Sequence, residues 1–257
     1  MAGICLMKDL FTRNRIISLT VIVLLLAVWE VVSRITGARQ ILPGPADSIE
    51  ALLHLFGEPG FLLSLGSTIG RGLLGFALAF GCALVIGILS GLNPSVEAGF
   101  RPVIVLFRSV PVISVILLAL IWFRVEQVPV FIGFLTMFPL LSTNLTQGIR
   151  QTDRSLVGMA RLYRVSEWRI LREVYIPSIL PYLFSGISSA MGFGWRAVII
   201  GEVLSQPRYG IGSMMQEAQS FLLVAEVIAW TLIAVVVGYL FEGINRMLES
   251  NAIRWNR

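Results

Sequence analysis

DRSLVGMARLYRVSEWRILREVYIP, running from Asp153 to Pro177, is the one stretch in which an otherwise apolar chain gathers charge. It holds five arginines, two glutamates and one aspartate. Leu156, Met159, Ala160 and Tyr163 follow the i, i+3, i+4, i+7 spacing of one helix face. Ser166 is placed to cap a second helix, in which Trp168, Leu171 and Tyr175 repeat the apolar spacing while Arg169, Arg172 and Glu173 point elsewhere. The segment therefore reads as two short amphipathic helices joined near Arg164. A solvated basic loop between membrane spans has the same composition.

Outward from this stretch the chain is mostly hydrocarbon. Of its 257 residues 56% are hydrophobic and 14% charged, against about 25% charged in soluble domains. Six apolar runs are long enough to cross a bilayer, at approximately 16–34, 66–91, 103–123, 128–148, 177–203 and 221–245. No polar linker divides them, so residues 1–257 are expected to form a single transmembrane domain. Pro177 and Pro181 are placed to open the fifth span, where a missing amide hydrogen is tolerated. Pro111 and Pro139 lie inside apolar runs and predict kinks. LPGP at 42–45, followed by Asp47 to Phe56, predicts a short external helix. The pairs Gly66/Gly70 and Gly87/Gly91 have the spacing that lets membrane helices approach closely.

Sidedness follows from the basic residues. Lys8, Arg13 and Arg15, then Arg101, the 149–176 segment, and Arg246, Arg254 and Arg257 fall on one side by strict alternation. Arg34, Arg39, Arg124 and Arg208 fall on the other with acids interspersed. Both termini and the 153–176 segment are thus expected in the cytoplasm. The net charge of +5 is explained by this topology rather than by nucleic acid, for which no recognition module is present. Cys5 and Cys82 give no disulfide framework, and a sole histidine, His54, gives no metal site. No phosphate-binding GxxxxGK[ST] loop occurs, and neither HExxH nor GxSxG is found.

Charges inside spans cost about 2.5–3.5 kcal/mol at mid-membrane on insertion scales and usually face a cavity or a partner. Arg71, Arg196 and Glu226 all fall toward the outer half. Arg71 and Arg196, beside Trp195, are expected to help line an externally fed translocation pathway, with Glu202 or Glu226 balancing their charge. Snorkelling or ion pairing between helices accounts for the same residues.

Gly158 to Pro177 resembles the cytoplasmic EAA motif of permease subunits in binding-protein-dependent ABC importers: EAA, three residues, Gly, nine residues, then I-x-L-P. Ala160 keeps the third position, Val174 and Ile176 the two aliphatic ones, and Pro177 ends the motif without a gap. Gly158 stands where the motif has glutamate, and Arg164 where it has glycine. ILPGPADSIEALLHLF, RSVPVISVILLALIWF and GWRAVIIGEVL with PRYGIG are similar to the nitrate, taurine and aliphatic sulfonate branch. The resemblance implies an all-α membrane protein with six transmembrane helices and the type I ABC importer permease fold, its cytoplasmic coupling helices lying between spans four and five. It implies ATPase coupling through Gly158, Met159, Ala160, Tyr163, Arg164, Ser166, Trp168 and Pro177. Its implied partners are an ABC ATPase subunit, an external solute-binding protein that is periplasmic or lipid-anchored, and a second permease copy in the bacterial inner membrane. No cofactor is implied in this chain, ATP and Mg belonging to the ATPase. Small anions are the substrates expected, with a thiamine precursor or another vitamin as the alternative. A membrane enzyme would need a catalytic cluster, and a secondary transporter inverted repeats; the sequence displays neither.

Overall fold

The computed structural model of the chain describes residues 2–37 and 41–252, with side chains from Ile17 onward except Ser18. Arg39, Arg254 and Arg257, part of the charge-sidedness expectation, lie outside the described residues. Every regular element among the described residues is helical: α1 (Ala2–Thr36), α2 (Pro45–Leu55), α3 (Phe61–Leu92), α4 (Pro94–Ser109), α5 (Val112–Trp122), α6 (Val128–Arg150), α7 (Arg154–Leu162), α8 (Glu167–Ile170), a π turn (Leu171–Tyr175), α9 (Ile176–Ser205), α10 (Ile211–Ser220) and α11 (Val224–Ala252). Among the described residues five helices are long and apolar enough to cross a membrane, or six if α4 and α5 together make one span.

The chain forms two compact units, the first comprising the described residues up to Phe61 with Glu217–Thr231, and the second Leu62–Gln216 with the described residues from Leu232. In the first unit the LPGP turn is tied to α1 by Trp29 Nε1 donating to the Pro43 carbonyl at 3.0 Å and Ser33 Oγ donating to the Leu42 carbonyl at 2.8 Å. Asp47 then accepts from the Gly44 amide at 2.9 Å and starts α2, with Pro45 at the position where its missing N–H is harmless. Phe61 stacks on Trp230 and meets Phe56 edge-on.

The second unit is built around α6 and α9, which share its most extensive helix interface. Glycines set their separation. A Cβ at Gly201 would stand 2.9 Å from the Pro129 Cα, and one at Gly194 would lie 2.2 Å from the Met137 side chain. Small residues that admit a neighbouring helix are the main route to tight packing where lipid removes the hydrophobic drive between helices. Gly87 and Gly91 serve the same end on α3, against Leu145 and Ile149 of α6. Gly66 and Gly70, with the same spacing, meet nothing within 4 Å. Aromatic stacking of Phe134 with Phe138, and of Phe76 with Phe80, fills the centre of this unit.

The kink expected at Pro111 is present and divides its span, and the placement expected for Pro177 and Pro181 is corrected. The run 103–123 is not one rod: α4 begins at Pro94, so Arg101 lies in a helix, and α4 meets α5 at a 98° bend. Pro111 causes it by forcing Val110 into extended backbone, φ −71 and ψ 130. Pro177 and Pro181 do not open the fifth span, because helical backbone already runs from Glu167 and continues to Ser205 over 39 residues. The π turn lies just ahead of Pro177, where the Ile176 amide reaches back to the Leu171 carbonyl. Such a one-turn widening relieves the clash that a proline ring makes with the preceding turn, so the helix passes through instead of breaking. α6 likewise runs unbroken past Pro139.

Candidate functional site

The 153–176 segment folds as two helices meeting at a sharp turn. Asp153 caps α7, accepting from the Ser155 amide at 2.8 Å and from Ser155 Oγ at 2.6 Å. The Ser155 hydroxyl, then the Ser155 amide, hold the Asp153 carboxyl below the usual carboxylate range. A depressed folded-state value means the cap contributes above the ordinary aspartate range and is lost only as pH falls through that lower value. At the other end of α7 the Val165 amide reaches the Ala160 carbonyl at 3.0 Å and Arg164 adopts φ 55, the left-handed residue of a Schellman motif. Arginine there costs roughly 1–2 kcal/mol relative to the glycine of the motif.

A bidentate pair spans the turn, Arg161 Nε donating to Glu167 Oε1 at 2.8 Å and Nη2 to Oε2 at 3.1 Å. Hydrogen bonding to Glu167, then its charge, raises the Arg161 guanidinium further above its ordinary value. Ser166 occupies the cap position of α8, but its side chain makes no capping bond; its carbonyl accepts from Arg169 and Ile170 instead.

The apolar stripe read from spacing turns outward. Val157 and Ile170 are the buried residues of α7 and α8, and they anchor the segment. Leu156 and Met159 are exposed, and Leu162, Tyr163 and Trp168 are 83%, 76% and 72% exposed. With Arg164 and Ser166 also exposed and Ala160 half-buried, the tip presents an apolar patch rimmed by arginines. Gly158 is exposed with open space where a Cβ would stand. Pro177 is not at the tip but inside the long helix behind it.

The expected pathway residues separate. Arg71 and Glu202 are brought together: Arg71 Nη1 donates to Glu202 Oε1 at 2.6 Å and to the Tyr209 carbonyl at 2.6 Å, while Nη2 pairs with Glu126. Glu202 is fully buried, and its other oxygen accepts from Thr68 Oγ1 at 2.8 Å and from the Gly212 amide at 3.0 Å. Thr68 Oγ1 in turn accepts from the Ile211 amide at 2.8 Å. A Cβ at Gly212 would fall 2.5 Å from the Ile199 carbonyl, so the PRYGIG loop closes onto the carboxylate only with glycine there. This network fixes the 206–212 loop to α3 and α9.

Trp195 is buried, its indole donating to the Ala234 carbonyl at 2.9 Å and its ring edge-on to Phe241. Glu226 belongs to the first unit, with His54 and Glu58 near it.

Arg196 differs from all of these. It is exposed on α9 and has neither ion-pair nor hydrogen-bond partner among the described residues. Ser185, Ser189, Gly192 and Ile200 share its stripe and are exposed or half-buried, whereas Gly194, Ala197, Gly201 and Ser205 are packed inside. Four contributors carry no periodic signal in the sequence: Glu126 in the tight RVEQ connection, Thr68, Ser185 and Ser189. Arg71 and Glu126 also edge a cavity of about 770 Å³ between α3 and α6, walled by Leu74, Leu78, Phe131 and Phe134. Among the described residues no cluster of His, Cys, Asp or Glu is placed to hold a metal.

Comparison with known proteins gives a consistent result. The family model described as the inner membrane component of binding-protein-dependent transport systems matches residues 83–254. The putative aliphatic sulfonates transport permease protein SsuC of Escherichia coli K12 is 31% identical over 235 residues, covering 90% of this chain and 89% of that protein. SsuC of Bacillus subtilis 168 is 29% identical over 234 residues, covering 90% and 84%. The taurine transport system permease protein TauC of Escherichia coli K12 is 27% identical over 252 residues, covering 95% and 91%. Among solved structures, the MetNI methionine ABC transporter in inward-facing conformations aligns with a TM-score of 0.53 at 17% identity, over 76% of this chain and 94% of that one. At that identity the likeness concerns the fold.

The buried network predicts a graded response. Removing one member of a buried ion pair costs about 3–5 kcal/mol, whereas exposed pairs contribute about 0–1 kcal/mol. Arg71→Ala is therefore expected to lower the thermal midpoint of the detergent-extracted chain far more than Glu126→Gln. Equal shifts in the two variants contradict the assignment.

Proposed function

The chain belongs to the family of inner membrane components of binding-protein-dependent transport systems, and from that premise we propose that it carries a small anion along the α9 stripe containing Arg196. It is the multi-pass permease subunit of a bacterial ABC importer, not an enzyme; ATP hydrolysis lies on a separate partner, and a solute-binding protein is the other partner the family implies. The observation that carries the substrate reading is the character of that stripe. A lipid-facing helix surface is built of Leu, Ile and Val, yet here Ser185, Ser189 and Gly192 lead to an arginine without a counter-ion. An unpaired charge within a span faces water or another chain.

A two-fold symmetric pair of permeases brings two such stripes face to face, each residue occurring twice around the axis. The facing arginines then give a cationic ring to which a sulfonate, a taurine-like zwitterion or bicarbonate bonds without a metal. Permeases for aliphatic sulfonates, taurine and bicarbonate among the relatives support this class. Vitamin import has no comparable support. Arg71 serves in this reading as the loop anchor rather than as a substrate contact, because Glu202, Glu126 and Tyr209 already engage both of its terminal nitrogens.

Coupling is assigned to the exposed tip between α7 and α8, facing the cytoplasm with both termini. Leu162, Tyr163 and Trp168 there form the kind of aromatic and aliphatic patch, rimmed by arginine, that anchors protein interfaces.

In proteoliposomes containing the full transporter, Arg196→Ala is expected to lower anion uptake about tenfold or more, the loss of one charged hydrogen bond, with unchanged membrane insertion. Arg196→Lys retains part of the rate. Parallel loss of insertion and uptake removes Arg196 from the pathway. For the tip, Trp168→Ala is expected to weaken ATPase binding about 30-fold, as for loss of an interface anchor. Arg164→Glu should uncouple ATP turnover from loaded binding protein, whereas Arg164→Gly, which suits the left-handed backbone, should still assemble. Normal assembly and transport by the Trp168 and Arg164→Glu variants would refute the assignment.

A further inference from the structure

Two cavities of the second unit share Leu92, Ile149, Arg161 and Tyr175 in their walls and so adjoin as two parts of one region. One part, about 510 Å³, is walled by Leu84 and Ile88 of α3, Leu145 of α6 and Ile179, Leu180 and Leu183 of α9, with Leu171 and the paired Arg161 and Glu167 also in its lining. The other, about 400 Å³, lies against α7 and is lined by Arg150, Thr152, Arg154 and Gly158. Both volumes are in the range of small-molecule sites, about 300–1,000 Å³. Leu84, Ile88 and Leu92 stand one turn apart on α3, so the apolar wall is about 12 Å deep.

The polar part is basic. Arg150 is held by Glu97 at 2.5 Å and Arg161 by Glu167, while Arg154 has no ion-pair partner among the described residues. Gly158 supplies neither bulk nor charge: a Cβ there meets nothing within 4 Å, so the space beside Arg154 stays open where the motif described above has a glutamate. The arrangement is that of an amphiphile's complement, with a cationic mouth at the helix ends and a hydrocarbon slot running inward from it.

We propose that this cleft binds an anionic phospholipid, its phosphodiester beside Arg154 and one acyl chain lying along Ile88, Leu145 and Leu183. Arginine is suited to phosphate, and basic pockets between membrane helices at the cytoplasmic boundary are where acidic headgroups lodge. A soluble phosphate leaves the apolar slot unfilled. A segment of a soluble subunit seated on the mouth leaves the apolar wall of Leu84, Ile88 and Leu183 unfilled. The bound lipid touches α7, the π turn and α9 together, and so ties the membrane's anionic lipid content to the setting of the coupling tip.

The test is native mass spectrometry of the full chain in non-ionic detergent, titrated with phosphatidylglycerol and with phosphatidylcholine of identical chains. Glycerophosphoglycerol serves as the chain-free headgroup. Phosphatidylglycerol is expected to be retained about fivefold over phosphatidylcholine, the preference one arginine confers near a headgroup. Arg154→Gln should abolish that preference, Gly158→Leu should reduce retention of both lipids by filling open space, and Arg208→Gln should change nothing. Equal retention of the two lipids, an unchanged preference in Arg154→Gln, or retention of the chain-free headgroup overturns the proposal. A Gly158→Leu variant that keeps its lipid but no longer assembles with the ATPase assigns the cleft to that subunit and overturns it as well.

Discussion

The unbroken hydrogen-bonded backbone from Glu167 to Ser205 is the constraint on which the rest of the second unit depends. Pro177 should end a helix, and without the π turn ahead of it the tip and the membrane span would be separate elements joined by a hinge. Because the helix continues, one object about 58 Å long carries the exposed tip at one end, the Arg196 stripe within the membrane, and Glu202 near the other end. In the proposed reading, a displacement imposed at Trp168 reaches Arg196 along a helix with no break in its backbone.

The two ends of this helix are held differently. Glu202 is enclosed by Arg71, Thr68 and Gly212, so the far end is locked to α3 and to the 206–212 loop. The near end rests on one buried side chain in each short helix, Val157 and Ile170, and otherwise displays apolar surface. A fixed end and a lightly held end are what a lever needs. Glycines along α6 and α9 seat side chains of the facing helix, Met137 against Gly194 and Tyr182 against Gly148, and so bring the two helices close.

The fold was largely legible in the sequence because lipid imposes length and apolarity on each span, and these show directly in composition. The break at Val110 and Pro111 was signalled by proline, but its 98° size was not, since a dihedral preference at one residue sets a direction only in three dimensions. At the tip, motif spacing located the turn, and φ 55 at Arg164 is the conformation that the glycine of the motif would adopt. Periodicity marked the apolar stripe of α7 without showing whether it is buried, and Leu156, Met159 and Tyr163 turn outward. Spacing alone does not distinguish an apolar face that meets its own chain from one that awaits another. Arg71 and Arg196 looked alike for a similar reason: both are arginines in spans, and only the positions of Glu202 and Glu126 separate a paired charge from an unpaired one.

The claim that the tip and the pathway move as one body is tested most directly by electron–electron resonance distances within a single helix. Spin labels at Arg172→Cys and Ile200→Cys, in a chain without its native cysteines and assembled with its ATPase, lie about 42 Å apart along a straight helix. The account predicts the same distance in the nucleotide-free and ATP-trapped states while the distance between the Arg172→Cys positions of two permease copies changes. A shortening of the distance within the helix on ATP trapping, as produced by bending at the π turn and Pro177, would contradict it.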